Sequence, residues 1–213
     1  MEYPNFQEEN NLWERGLSII VGIDEVGRGP LAGPVVAASA IIKTKDLACK
    51  KDIKDSKKLT HKKRQLIFDS LINSPDIEWG IGIVSETIID KINILEASKL
   101  AMKQSLQDLE KKINPKTADF LLLDGNFKIN VDLSQKSIVG GDDKVFSIAL
   151  ASIIAKVTRD KMMEEYHKQY PLYGFDKHKG YGTKLHFDML KKYGPCEIHR
   201  KSFKPVSYYI KES

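Results

Sequence analysis

The sequence predicts an α/β protein, a mixed sheet flanked by helices, and three observations carry that expectation. Short apolar, β-branched runs recur at residues 18–23, 34–42, 77–84, 118–123 and 137–139. The first runs are close enough to pair as an antiparallel meander. The later ones alternate with segments of helical period, the pattern of helices packed on a sheet.

Taken in order, residues 18–23 (Ser-Ile-Ile-Val-Gly-Ile) read as a buried strand ending on Asp24. A glycine- and proline-rich stretch, residues 27–34, leads into the second strand. Residues 43–58 form a lysine-rich loop. Thr60 then caps a helix running to about Asn73, with Leu66, Ile67, Leu71 and Ile72 toward the core. Residues 77–84 make the third strand. Asn93-Ile94-Leu95-Glu96 fits a capping box and opens a helix with the apolar stripe Leu95, Met102, Leu106, Leu109 and Ile113. Asn114-Pro115 stops it. The fourth strand, residues 118–123, again ends on a carboxylate, Asp124. Residues 137–139 add a short strand, and Gly140-Gly141-Asp142 leads into a helix over about 144–165 that is apolar on nearly every face in its first half. Residues 171–213 are richer in Gly, Tyr, His and Lys and hold a helix over 184–193. The expected organisation is a core of residues 1–170 and a small, basic helical subdomain, residues 171–213, packed on it.

Composition bounds the function. The chain has 213 residues, 41% hydrophobic and 30% charged, ordinary for a globular protein. A formal net charge of +5 suits a polyanionic partner without requiring one. Cys49 and Cys196 make no CxxC pair, as expected of reduced thiols. The polar, acidic start resembles no signal peptide, and no apolar run approaches a membrane span. The expectation is a soluble, cytoplasmic protein.

Four acids stand out. Asp24 and Glu25 are adjacent, Asp124 repeats the strand-then-carboxylate arrangement, and Asp142 follows Gly-Gly. Converging acids repel one another and raise their pKa values unless a cation neutralises them. Oxygen ligands suit Mg²⁺ or Mn²⁺, and two such ions can clamp a phosphodiester. Singly, however, a strand-end Asp before Gly also serves as a turn residue, and Asp142 as a helix cap. Spacing alone leaves both readings open.

Longer patterns narrow the choice. Gly22-Ile23-Asp24-Glu25-Val26-Gly27-Arg28-Gly29-Pro30-Leu31-Ala32-Gly33-Pro34-Val35 closely resembles the opening motif of bacterial ribonuclease HII. Asp55-Ser56-Lys57-Lys58-Leu59, Leu122-Leu123-Asp124-Gly125, the segment from Gly141-Asp142 through Arg159-Asp160, and His178-Lys179-Gly180-Tyr181-Gly182-Thr183 with His186 are similar to its later motifs, in the same order. One departure is Leu150, standing where the family usually has a small residue. The resemblance implies a ribonuclease H-like five-stranded sheet with a C-terminal helical appendage. It implies that Asp24, Glu25, Asp124 and Asp142 bind divalent metal, Mn²⁺ or Mg²⁺, as the catalytic set. Asp142 is preferred to its neighbour Asp143 because it keeps the spacing to Ser147. It further implies that Gly27, Arg28 and Gly29 read a ribose 2′-hydroxyl largely through backbone groups, that Tyr181 stacks beside that sugar, and that Lys57 touches substrate. Glycines allow such close backbone approach, and the 2′-hydroxyl is what separates RNA from DNA.

The implied activity is endonucleolytic hydrolysis of the RNA strand of RNA–DNA hybrids, including single ribonucleotides in duplex DNA. The mechanism would use two metal ions, with 5′-phosphate and 3′-hydroxyl products, and the enzyme would act as a monomer. The alternatives are a ribonuclease HIII-like enzyme, an endonuclease V-like enzyme on the same superfold, and a non-catalytic hybrid-binding protein. About twenty residues precede Asp24, and Arg28 rather than Lys separates the motif glycines; both features favour the HII pattern over HIII.

Overall fold

The computed structural model describes residues 3–44, 53 and 60–210. Lys57, its motif and most of the lysine-rich segment lie outside them.

Five strands form one sheet: β1 (Ile20–Val26), β2 (Val35–Ile42), β3 (Ile77–Val84), β4 (Phe120–Asp124) and β5 (Gln135–Ile138), in the order β3-β2-β1-β4-β5. β1 pairs antiparallel with β2, and β2 with β3. β4 runs parallel to β1, and β5 to β4. Both faces of the sheet are covered, so β2 is buried at every position and reads as a continuous apolar run instead of an alternating one.

One face carries helix α3 (Glu86–Ile113). Val21, Ile23, Val35 and Ala37 pack there with Met102, Leu106 and Leu109. On the other face lie α2 (His61–Ile72) and α4 (Phe146–Gln169), where Phe146, Leu150 and Ile154, spaced by four, meet Ala38, Ala40, Ile67 and Leu71. Leu150 is completely buried, so the position that departs from the family pattern is filled by core packing. The first turn of α4 rests directly on β1. A Cβ at Gly22 would overlap the backbone of Ser147 and Ile148, so only glycine permits this approach.

Several expectations need correction. β1 continues through Glu25 to Val26, so Asp24 and Glu25 lie within the strand, opposite Ala38 and Ala37, instead of at a turn beyond it. Leu66 points to solvent, 63% exposed, because α2 buries only the Ile67, Phe68 and Leu71 side. Asn93 does cap a helix, its Oδ1 accepting the Leu95 and Glu96 N–H groups. An earlier turn capped by Ser85 precedes it, however, and the two merge across a kink where Asn93 adopts φ 67°. Leu95 lies at the exposed edge of the stripe. α4 begins at Phe146 and runs four residues past the expected end, and β5 starts two residues earlier than expected.

An unforeseen helix, α1 (Gln7–Glu14), docks on the core. Its buried Glu9 accepts the Ser147 N–H at 2.8 Å, supplying from elsewhere in the chain a partner for a free N–H at the start of α4. Phe6 stacks on Phe146 with ring centroids 4.5 Å apart. In the C-terminal segment, α5 (Phe175–His178) and α6 (Lys184–Tyr193) contribute to a cluster of Tyr173, Phe175 and Ile198, while Val206 of α7 (Lys204–Ser207) packs with Leu31 and Leu190. Ala32 and Met163 join the Tyr173 cluster from the turn after β1 and from α4. Thr183 caps α6 by accepting the His186 N–H.

Gly22→Ala is expected to lower the unfolding free energy by about 1–3 kcal/mol, the usual cost of overpacking. Gly29→Ala, whose added Cβ would meet nothing nearer than the Tyr181 ring at 3.8 Å, should leave the urea midpoint unchanged. Equal midpoints for the two variants would contradict the close packing of α4 on β1.

Candidate active site

The parallel register sets Ile23 beside Leu123, so the next positions bring Asp24 and Asp124 side by side at one end of the sheet. Asp24 lies on the α4 side, where the Ser152 hydroxyl hydrogen-bonds its carboxyl. Asp124 Oδ1 accepts the Gly141 N–H at 2.6 Å, anchoring a short 3₁₀ turn, Gly141–Asp143. Gly140 enters that turn in the left-handed region, at φ 64°.

Asp24, Glu25, Asp124 and Asp142 consequently line one open cavity of about 340 Å³, together with Arg64, Ser152 and Lys156. Among the described residues the lining includes Asp142 and not Asp143. Lys156 pairs with Asp160 one helical turn on, at 2.7 Å, so part of its charge is spent within α4.

The acids are electrostatically uncomfortable. Burial raises the Asp24 pKa well above the ordinary aspartate value, and the charges of Glu25, Asp124 and Asp142 push the same way. Burial raises Glu25 too, opposed by Arg28, whose guanidinium lies 3.1 Å from Glu25 Oε1. The other oxygen, Oε2, is buried without a hydrogen-bond partner. Among the described residues, no group of three or more His, Cys, Asp or Glu side chains is arranged to hold a metal ion. The four acids share a cavity without closing on one point, as mutually repelling carboxylates do.

The turn after β1 is held from beneath by two arginines with no exposed surface. Arg200 donates to the carbonyls of Gly27, Arg28 and Gly33. Arg159 donates to those of Pro34, Ala32 and Lys179, at 2.9–3.1 Å. Burial lowers the Arg159 pKa to about 10, and burial together with the Arg159 charge lowers Arg200 to about 9. Both remain cations at neutral pH. The N–H and C=O of a trans peptide point opposite ways. Turning the Gly27 and Arg28 carbonyls onto Arg200 therefore turns the Arg28 and Gly29 N–H groups away from it.

Tyr181, 41% exposed, comes from the loop before α6, and its ring is the nearest group to where a side chain on Gly29 would project. The structure thus brings the four acids together and sets Gly27, Arg28, Gly29 and Tyr181 beside one another. Lys57 lies outside the described residues. Arg64, Ser152, Lys156, Arg159 and Arg200 were not singled out from sequence. Ser152, Lys156 and Arg159 lie within the fourth motif, but the partners of Ser152 and Arg159 are distant in the chain.

The raised Asp24 pKa has a definite sign. Folding penalises the ionised form, so the cost is fully present above the folded-state pKa and is relieved as pH falls through it. Asp24→Asn is therefore expected to raise stability to urea at pH 7 in excess chelator, with a gain that shrinks as pH falls toward the ordinary carboxylate range. Mn²⁺ should stabilise the unaltered chain more than the variant. A variant less stable than the unaltered chain at every pH in chelator would contradict this picture.

The ribonuclease HII family model matches residues 21–206. The chain is 52% identical to ribonuclease HII of Chlamydia caviae over 96% of its own length and 92% of that protein. It is 49% identical to ribonuclease HII of Endomicrobium trichonymphae, covering 98% and 96% of the two chains. Its fold is similar to that of ribonuclease H2 from Pyrococcus horikoshii, with a TM-score of 0.71 and 28% identity over 89% of this chain and 96% of that one. It also resembles Bst-RNase HIII in complex with Mn²⁺, with a TM-score of 0.73 and 18% identity over 90% and 68% of the two chains, a likeness of fold alone. With a family model matching nearly the whole chain and relatives half identical to it, this protein belongs to the ribonuclease HII family.

Proposed function

We propose that this chain is an endoribonuclease that hydrolyses RNA in RNA–DNA hybrids and cuts at single ribonucleotides embedded in duplex DNA. Family membership supports ribonuclease H activity. The observation that carries the finer reading is the shared cavity of Asp24, Glu25, Asp124 and Asp142, with Gly29, on the turn that starts two residues beyond Glu25, lying beside Tyr181 from the loop before α6.

The donor set fits a hard divalent cation. All four ligand candidates offer oxygen, one buried Glu25 oxygen lacks a partner, and the mutual repulsion of the acids would be relieved by positive charge. Asp24, Glu25, Asp124 and Asp142 would hold Mg²⁺ or Mn²⁺, two ions in the reading that best suits phosphodiester hydrolysis. Bound there, the ions would neutralise phosphate charge and make water more acidic. The chain's own groups do the rest. Ser152 orients the Asp24 carboxyl, and the Gly141 N–H orients Asp124. Arg28 screens Glu25. The outward Arg28 and Gly29 N–H groups are donors suited to a ribose 2′-hydroxyl and its phosphate, and Tyr181 packs against the sugar. Lys57 is assigned a phosphate contact on its motif alone. Residues 171–213 serve as the appendage that carries Tyr181. Water attacks and the 3′-oxygen leaves, giving 5′-phosphate and 3′-hydroxyl ends.

Three duplexes test this: an RNA–DNA hybrid, a DNA duplex with one ribonucleotide, and one with inosine. Cleavage of the first two with the stated ends, and none of the third, is expected. Asp124→Asn should lower the rate about a hundredfold or more, since even groups that only support a metal ligand are worth 10–100-fold. Gly29→Ala should fold normally yet lose preference for the ribonucleotide. Cutting at inosine, or undiminished cutting in excess chelator, would overturn the assignment.

A further inference from the structure

Behind Tyr181 lies a group that the proposed chemistry does not use: the imidazoles of His178, His186 and His199, all buried. His178 stacks on His186 with centroids 4.5 Å apart, and the edge of Phe175 closes against His186. His186 Nε2 meets His199 Nε2 at 2.9 Å. Among the described residues, no carboxylate hydrogen-bonds any of the three rings.

Both ends of the His186–His199 pair have fixed roles. At one end the Cys196 backbone N–H can only donate, and it points at His199 Nδ1 at 2.9 Å. The Cys196 thiol, its pKa pushed up to about 12 mainly by burial, keeps its proton and sits 3.1 Å from the same nitrogen. His199 Nδ1 must therefore accept, and the neutral ring carries its proton on Nε2. The Cys196 carbonyl, 3.3 Å from Nδ1, is left without that donor. At the other end the Tyr181 carbonyl can only accept, and it lies 2.9 Å from His186 Nδ1. His186 must therefore carry its proton on Nδ1 and accept at Nε2. The two ends independently demand the same direction for the central contact, His199 Nε2–H donating to His186 Nε2.

We infer that His199 and His186 form a one-way relay of neutral imidazoles that holds the Tyr181 carbonyl and so fixes the Tyr181 ring over Gly29. Both are positioning residues for ribonucleotide recognition, acting through Tyr181. The inference rests on the reading of Tyr181 as a substrate contact.

A second proton anywhere in the relay would set N–H against N–H. Burial favours the neutral state as well, lowering His186 to about 4 and His199 to about 3, with the neighbouring rings adding to the effect. The relay works alongside fixed backbone bonds. The Tyr181 carbonyl also accepts the Thr183 N–H at 2.8 Å, and the Gly180 carbonyl accepts the Leu31 N–H at 2.8 Å. His178 completes the cradle by accepting the Gly180 N–H at Nδ1, which leaves its Nε2–H to donate to the Tyr173 carbonyl.

Two measurements on the full chain decide the matter. Long-range ¹H–¹⁵N spectra should show His186 protonated on Nδ1 and His199 on Nε2, both neutral from pH 5 to 8; the opposite tautomers, or a charged ring at pH 6, would overturn the relay. The second is a double-mutant cycle on the duplex with one ribonucleotide. Tyr181→Ala should lower kcat/KM roughly fivefold or more, as loss of a stacking aromatic does. His186→Ala should do the same, and the double variant should be no worse than Tyr181→Ala. His186→Asn, which keeps an N–H donor near the Nδ1 position, should recover part of the loss and guards against a His186→Ala variant that folds poorly. Additive losses with a sensitive Tyr181→Ala would sink the relay alone. A silent Tyr181→Ala would remove the substrate-contact reading and this inference with it.

Discussion

Arg159 and Arg200 carry the constraint on which the rest of the molecule depends. Each is a cation with no exposed surface, and each donates only to backbone carbonyls. A buried charge is tolerated only when its hydrogen-bonding groups are satisfied. Here that demand is met by the turn after β1, by the loop before Tyr181, and by nothing more local. The long helix α4 supplies one arginine and the C-terminal segment the other. The turn, the helix and the C-terminal segment are therefore locked together. Where Gly27 and Arg28 turn their carbonyls inward, the Arg28 and Gly29 N–H groups face the other way, the side on which the proposed function places the ribose.

Above that satisfied layer sits an unsatisfied one. Asp24 and Glu25 are forced to share a cavity with Asp124 and Asp142, and folding raises the pKa of both adjacent acids. Arg28 offsets some of this for Glu25, and Ser152 for Asp24. The contrast is physically informative. A structural pair of buried charges would be neutralised by protein groups; a cavity left short of positive charge is one that the proposed divalent cations would relieve.

Much of this was legible in the sequence. Four of the five strands are largely apolar runs of about the right length, β5 (Gln-Lys-Ser-Ile) being the exception, and the strand-to-carboxylate pattern exposed Asp24 and Asp124, which the parallel register of β1 and β4 sets side by side. Thr60 and Asn93 announced their helices through capping chemistry. Other features had no local signal. α1 has only Glu9 and Leu12 buried, too few for a stripe. The extension of β1 past Asp24 follows from pairing with β2, since glycine after a strand reads equally as its end. Arg159 and Arg200 are of a type that normally sits at the surface, and their six carbonyl partners lie 20 to 173 residues away. The exposed face of Leu66 reflects which side of α2 meets α4. In the proposed histidine relay the direction is set by the Cys196 N–H at one end and the Tyr181 carbonyl at the other, partners that only the fold brings to the rings.

The most direct test of the account is the binding of Mn²⁺ to the intact chain, followed by electron paramagnetic resonance while Asp24, Asp124, Asp142 and Asp143 are changed one at a time to Asn. The account expects the unaltered chain to take up Mn²⁺ in competition with Mg²⁺. Binding should weaken sharply in the Asp24, Asp124 and Asp142 variants and stay intact in the Asp143 variant. Uptake unchanged in Asp24→Asn, or lost in Asp143→Asn while kept in Asp142→Asn, would contradict it.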